Sequence, residues 1–404
     1  MKNVPYTYLY LGKGKVEKLS KPISGYVYYK NSRECLLTGK VENYSFLEFL
    51  ETLDNQLART KTNDHRIIHL FYEAGHFLVQ SREKDLLRIQ ALQGNGHKDI
   101  LAIDIQYEKS IIKDTPLIEE IIKFNSHHTL NNIDYKNSFH RGIEKLKKGE
   151  CYQFNLTFPE TYQIETIPER FENLFFEMIQ NKDVIGAFAH STYIPSLKKG
   201  LISNSPECLF QAKFKKDHLH LWTMPIKGTI CNRNNKTSEN WQKLSTSKKD
   251  EGELNMITDL LRNDLSRIDR PNAKVIKKKE LLKVPNLLHQ FSLIDVKLSL
   301  ETKLGKILHA LFPGGSITGA PKKNVMSILD QLENGERRGF YTGSTILCDR
   351  NRLVASINIR SAECDLKSET AKISAGGGIT LLSECHKEQQ EMEDKRQSFL
   401  QLFH

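Results

Sequence analysis

Apolar and polar positions alternate in short runs through the first half of the chain. Residues 26–29 and 67–71 have the length and residue types of strands, and polar turns separate them. Residues 125–139 are largely polar and are expected to form a loop. Residues 144–148 read as the end of a helix closed by Gly149. Residues 151–157 then alternate like a half-buried strand, and Leu219, Leu221 and Thr223 share one face of another. The second half adds helical periods. Between Leu244 and Ile268, apolar residues fall at 254, 257, 261, 265 and 268, the stripe of an amphipathic helix. A last helix is expected from about Cys385 to Phe403, with Met392 and Phe399 facing inward.

Both helices carry paired carboxylates. Asp250 and Glu253 lie three apart, as do Glu388 and Glu391, and residues at that spacing share a helix face. Each pair sits beside the buried stripe. Hard oxygen ligands from two helices suit Mg²⁺, which keeps several waters and leaves room for an anionic substrate. Either pair alone also fits an ordinary solvated helix face. Lys227 stands between Ile226 and Gly228-Thr229, at the expected end of the strand through Thr223. Lysine is rarely buried without a partner, and a desolvated amine becomes a nucleophile. On those few residues alone, a surface lysine at a strand end is the better reading.

Two glycine-rich segments invite nucleotide-binding motifs and fail them. In residues 312–322 the spacing of Gly314 and Gly319 suits a P-loop, but Ala-Pro-Lys follows where Lys and then Ser or Thr are needed. Residues 374–380 lack the third glycine of the dinucleotide pattern. Gly376, Gly377 and Gly378 are expected just before a helix N-terminus, where close backbone approach and free N–H groups favour a carboxylate.

Composition narrows the class. A chain of 404 residues, 39% hydrophobic and 27% charged, can bury a sizeable core. No apolar run approaches the roughly 20 residues that cross a bilayer, and the first residues carry no signal-peptide pattern. Seven scattered cysteines, an odd number without a Cys-x-x-Cys pair, argue against a disulfide framework or zinc cluster. A cytoplasmic location is therefore expected, with no membrane partner. The net charge of +10 is dispersed, and no aromatic-interleaved basic motif accompanies it. No nucleic-acid partner is expected.

Eight segments together carry a resemblance. They are residues 149–156, Ser205-Pro206-Glu207, Pro225-Ile226-Lys227-Gly228-Thr229, residues 259–265, 312–322 and 337–343, Ile359-Arg360, and residues 374–379. In type and order they resemble the chorismate-utilising enzymes, most nearly the branch that makes aminodeoxychorismate. The resemblance covers roughly residues 140–400. It implies an α/β fold of α+β type, a single large domain of two packed, mostly antiparallel sheets flanked by helices. Residues 136–404 would then form the catalytic region, and residues 1–135 a divergent N-terminal part of the same fold. It further implies chorismate as substrate and Mg²⁺ as cofactor.

By the same resemblance Glu253 and Glu391 are the direct magnesium ligands, and Asp250 and Glu388 their outer partners. Arg360 and Tyr341 bind a substrate carboxylate with the backbone of Gly376, Gly377 and Gly378. Glu207 is the general acid, His289 an active-site histidine, and Thr318 borders the substrate ring. Lys227 is the nucleophile of the aminodeoxychorismate branch. Other branches, such as anthranilate synthase component I, carry alanine there and are the alternative. Met224, Cys208, Ser266 and Gly252 depart from the family pattern without removing a catalytic group. The segment associated with tryptophan inhibition is absent, so strong tryptophan feedback is not expected. Cys151 lies on an expected strand rather than at a nucleophile elbow. Ammonia is therefore expected from solution or from a separate glutamine amidotransferase subunit.

Overall fold

The computed structural model describes residues 4–54, 64–79, 99–118, 122–128, 132–165, 170–180, 185–232, 236–268, 272–284 and 287–403. The long strand Lys15–Tyr28 is the junction of the fold. It pairs with Tyr6–Gly12 on one edge and with Ala102–Asp114 on the other. From it two ribbons of sheet extend, and every pairing among the described residues is antiparallel.

The first ribbon continues through His65–Leu70, Ser344–Cys348, Leu353–Ile357, Cys208–Phe214, Leu219–Thr223 and Leu287–Leu298. The second runs through His190–Ile194, Lys199–Ser203, Ser361–Asp365 and Thr370–Ile379 to Gln153–Ile164. Ile67, Ile103 and Ile105 of the first ribbon meet Ile194 and Leu201 of the second in one buried cluster. Alternating side chains on two twisted ribbons bury best face to face, which gives the two packed sheets that the resemblance implies. A strand near the N-terminus, His65–Leu70, pairs with Ser344–Cys348 from the last quarter of the chain. The two halves therefore share one domain.

Helices cover the outer faces. Leu254, Ile257, Leu261 and Leu265 of Lys248–Ser266 enter the core against the first ribbon, as their spacing predicts. Met392 and Phe399 of Cys385–Leu400 are fully buried against the second. The end of Asn132–Lys147 is also as expected, with Gly149 at φ 72° just beyond it.

Three local expectations change. The stretch 125–139 is not a loop: Phe124–His128 is a strand, and the helix Asn132–Lys147 follows. Tyr135, Phe139 and Leu146 form its buried stripe, thinned by the asparagines and histidines between them. Lys227 does not end the strand through Thr223. Met224 and Pro225 interrupt that strand, and Lys227 is the second residue of the next, Ile226–Cys231. Both strands line the same edge of Leu287–Leu298. The glycine run does not lead directly into a helix but is the inner part of the strand Thr370–Ile379, opposite Asn155, Leu156 and Thr157.

Candidate active site

A bulge places Lys227. It faces Gln290, but the register slips before Thr229 faces His289. Gly228, at φ 73°, absorbs the slip, and a Cβ there would lie 2.9 Å from Leu244 Cδ1 and 3.1 Å from Asp250 Cβ. Only glycine allows the helix Lys248–Ser266 to come this close. The contact sets Asp250 beside the Lys227 strand. Thr229 Oγ1 lies 2.9 Å from His289 Nδ1. Burial, with the nearby Arg360 charge, pushes the His289 imidazole below its ordinary value and keeps it neutral.

Glu207 precedes the strand Cys208–Phe214. Its N–H donates to Ser205 Oγ at 3.2 Å, and its carbonyl accepts from Ile357 N–H at 3.0 Å. Both backbone groups are thus spent on position, which aims the side chain. Burial raises the Glu207 carboxyl above the usual range, opposed by a hydrogen bond with Ser316 and by the charges of Lys227 and Lys395. A carboxyl that holds its proton toward neutral pH is equipped to act as a general acid. Tyr341 lies within electrostatic reach, its phenol pushed up to about 12 chiefly by burial.

Arg360 sits at φ 51°, a left-handed conformation that costs free energy in a non-glycine residue. Its backbone carbonyl accepts from Asn204 N–H at 2.9 Å. Burial alone depresses the guanidinium. No carboxylate pairs with it among the described residues. A half-buried, unpaired guanidinium invites an anion.

The acidic pairs divide differently than their spacing suggests. Glu388 is 5% exposed, and its carboxyl is raised by burial and by neighbouring Glu391. Glu391 is more open and forms an ion pair with Lys395 at 2.7 Å. Burial opposes its ionisation, but Lys395, Lys249 and Lys227 hold it below the ordinary range. Lys249 acts on both glutamates from the first turn of Lys248–Ser266, beside Asp250. Among the described residues, no three His, Cys, Asp or Glu side chains converge into a metal-holding group. The donor chemistry still fits a hard cation, because two lysine ammoniums stand where the carboxylates call for positive charge.

The glycine run touches the same cluster. Lys395 Nζ donates to the Gly376 carbonyl at 3.2 Å, and a Cβ on Gly377 would lie 3.5 Å from Glu388 Oε2. Thr318 is fully buried. Its hydroxyl donates to the Gly314 carbonyl at 2.8 Å, closing its own loop.

Lys227, Glu207, Tyr341, Arg360, His289, Glu391 and Glu388 are thus linked by contact or by charge. Sequence reasoning passed over Lys395, Lys249 and Ser316. Lys395 follows Glu391 by four residues, the spacing of a helix ion pair, and that signal was available. Ser316 carried no signal beyond its place between glycines.

A family model described as chorismate binding enzyme matches residues 25–401. Aminodeoxychorismate synthase component 1 of Salmonella typhimurium is 32% identical over 66% of this chain and 56% of its own length. The Escherichia coli protein of the same name is 36% identical, over 65% and 55%. Anthranilate synthase component 1 of Archaeoglobus fulgidus is 29% identical over 63% of this chain and 58% of its own. The chain thus spans little more than half the length of these relatives. Among solved structures, anthranilate synthase component I of Streptococcus pneumoniae superposes with a TM-score of 0.69 at 19% identity, covering 96% of this chain and 92% of that one. The menaquinone-specific isochorismate synthase of Escherichia coli gives 0.69 at 14% identity, covering 100% and 90%. Both share the fold.

Proposed function

Because this chain belongs to the chorismate binding enzyme family, we propose that it converts chorismate and ammonia to 4-amino-4-deoxychorismate, the precursor of 4-aminobenzoate and folate. One observation carries the reading: the Lys227 side chain lies where its charge acts on both Glu207 and Glu391. That reach supports a nucleophile, an acid and a candidate metal ligand acting in one space. The relatives named aminodeoxychorismate synthase support the reaction class.

The steps follow from this placement. The Lys227 amine attacks C2 of chorismate, and the ring double bond shifts as the C4–O bond breaks. Hydroxide leaves poorly, so Glu207 gives the departing oxygen its proton, and water is released. Ammonia then attacks C4, the double bond shifts back, and the C2–N bond to Lys227 breaks. Arg360 and Tyr341 hold a substrate carboxylate, and neutral His289 lines the pocket without adding charge. Bound by Glu253 and Glu391, with Asp250 and Glu388 behind them, Mg²⁺ would neutralise a second carboxylate. Ammonia would come from a separate amidotransferase subunit, as the component naming of the relatives suggests.

Product analysis tests the reading. The purified chain, given chorismate, Mg²⁺ and an ammonium salt, should form the 4-amino product. Formation of 2-aminobenzoate, or no consumption of chorismate, would overturn it.

A further inference from the structure

The turn that faces Glu207 is held at every peptide. Asn155 Nδ2 donates to the Ser316 carbonyl at 3.0 Å, Arg338 Nη1 to the Ile317 carbonyl at 2.8 Å, and Asn155 N–H to the Thr318 carbonyl at 2.8 Å. Three consecutive carbonyls thus have fixed donors. The glycines before them are wedged. A Cβ on Gly315 would lie 2.4 Å from Leu260 Cδ2, and one on Gly314 2.9 Å from Ile357 Cδ1.

Arg338 is the hub. It is 3% exposed, and Glu333 accepts from its Nε at 2.9 Å and from its Nη2 at 2.6 Å. Its Nη2 also reaches the Asn155 carbonyl at 2.6 Å, and Tyr72 lies under the guanidinium at 4.6 Å. Glu333 in turn accepts from Thr157 N–H at 3.0 Å. A buried ion pair is a costly way to stabilise a fold, and apolar residues of similar volume often do as well. What this pair supplies is direction, because its second guanidinium arm ends on the turn.

Ser316 is the product of that rigidity. Its side chain hydrogen-bonds with Glu207, and both line a small cavity with Thr223, Cys208 and Leu261. The amination reading uses Glu207 as an acid and assigns Ser316 nothing.

We propose that Ser316 is a positioning residue for Glu207, donating its hydroxyl to the carboxylate left when Glu207 gives up its proton, and that the Arg338–Glu333 pair and Asn155 hold it in place. The inference rests on the amination reading for its acid step. The proton moves from the Glu207 carboxyl to the departing 4-oxygen, and Ser316 keeps its own. A fixed donor aimed where charge appears acts without reorganising. Loss of that donor leaves a weaker acid, with the carboxyl raised further.

The test compares Ser316→Ala, Ser316→Thr and Glu207→Gln in chorismate consumption. Ser316→Ala should lower kcat by roughly tenfold, part of the 10²–10⁴-fold that a general acid contributes, with KM for chorismate nearly unchanged. The alkaline limb of its pH profile should move to higher pH, because the undonated carboxyl keeps its proton longer. Ser316→Thr retains the hydroxyl and should recover most of the rate. Asn155→Ala, which frees the Ser316 carbonyl without burying a charge, should give a milder loss with the same KM. A Ser316→Ala enzyme with wild-type kcat and pH profile, beside an inactive Glu207→Gln, would overturn the inference and spare the amination reading. No chorismate turnover in the wild-type chain would instead remove the reading beneath it. Chemical-shift titration of labelled glutamate gives a check independent of turnover: the Glu207 carboxyl should titrate at higher pH in Ser316→Ala, and an unchanged titration also counts against the proposal.

Discussion

Three successive glycines offer a graded test of the site wall. None of Gly376, Gly377 and Gly378 has a positive φ, so alanine is allowed by the backbone at each, and only space decides. A methyl on Gly376 would lie 2.4 Å from Thr157 Oγ1 and 2.5 Å from the Leu156 carbonyl oxygen. That oxygen belongs to the paired strand, so the ladder itself must yield. Overpacking of this kind costs about 1–3 kcal/mol. A methyl on Gly378 would meet Gln153 Nε2 at 2.5 Å, the mobile end of a side chain, and should cost less. On Gly377 the nearest atoms are Glu388 Oε2 at 3.5 Å and Lys395 Nζ at 4.0 Å, ordinary contacts. There the methyl should be neutral or stabilising by about 0.4–1 kcal/mol, through the lost freedom of the unfolded chain. Gly376→Ala and Gly377→Ala should therefore differ by about 1–4 kcal/mol. Urea unfolding at constant m-value measures the difference. Activity should not follow stability. Gly377→Ala sets a methyl beside the Glu388 and Lys395 groups and should raise KM for chorismate or for Mg²⁺ in a well-folded protein. Equal stabilities for the two variants would refute the packing estimate. A Gly377→Ala enzyme with unchanged KM values would show that this face of the strand takes no part in binding.

Other outcomes follow from the same geometry. Lys227→Ala should abolish 4-amination while chorismate still binds, since Arg360 and Tyr341 remain; mass analysis of the wild type with chorismate alone should find an adduct on the Lys227 peptide, and an unmodified peptide with full activity in the variant would defeat the nucleophile assignment. Glu253→Gln and Glu391→Gln should each nearly stop turnover and weaken Mg²⁺ binding in calorimetry; full activity in either variant, or in EDTA, contradicts the metal assignment. The chain should use ammonium salts but not glutamine, and glutamine-dependent amination by this chain alone would contradict the separate subunit. Burial lowers His190 from 6.5 to about 4, and His69, stacked on it at 5.9 Å, lies well below its ordinary value. The unfolded chain therefore binds protons first as pH falls, so stability should be full above 6.5 and drain toward about 4, by up to about 1.4 kcal/mol per pH unit for each imidazole. His190→Gln should flatten that slope, and an unchanged slope argues against the assignment.

Local periodicity determined much of this protein. The stripe from Leu254 to Leu265 and the inward Met392 and Phe399 were legible because a helix repeats its contacts every few residues. The alternation of Leu219, Leu221 and Thr223 was legible because a strand turns successive side chains to opposite faces. The glycine-flanked Lys227 and the Glu207 segment were also readable, because their residue types are unusual in those places. The first turns of the helix Asn132–Lys147 read as loop because polar residues dilute its stripe, and only packing against Phe158 and Leu329 shows which side is buried. The glycine run read as a lead into a helix because glycine is rare inside strands. Its partner, Gln153–Ile164, lies more than 200 residues away, and local sequence holds no record of that pairing. The same limit hid the Lys395 bond to Gly376, the reach of Lys249 to the last helix, and the turn that brings Ser316 to Glu207. Charge and hydrogen bonding act over a few ångströms, whatever the separation along the chain. The sequence by itself determined which groups could do the chemistry. The folding of two ribbons around the shared strand Lys15–Tyr28 decided which of them meet.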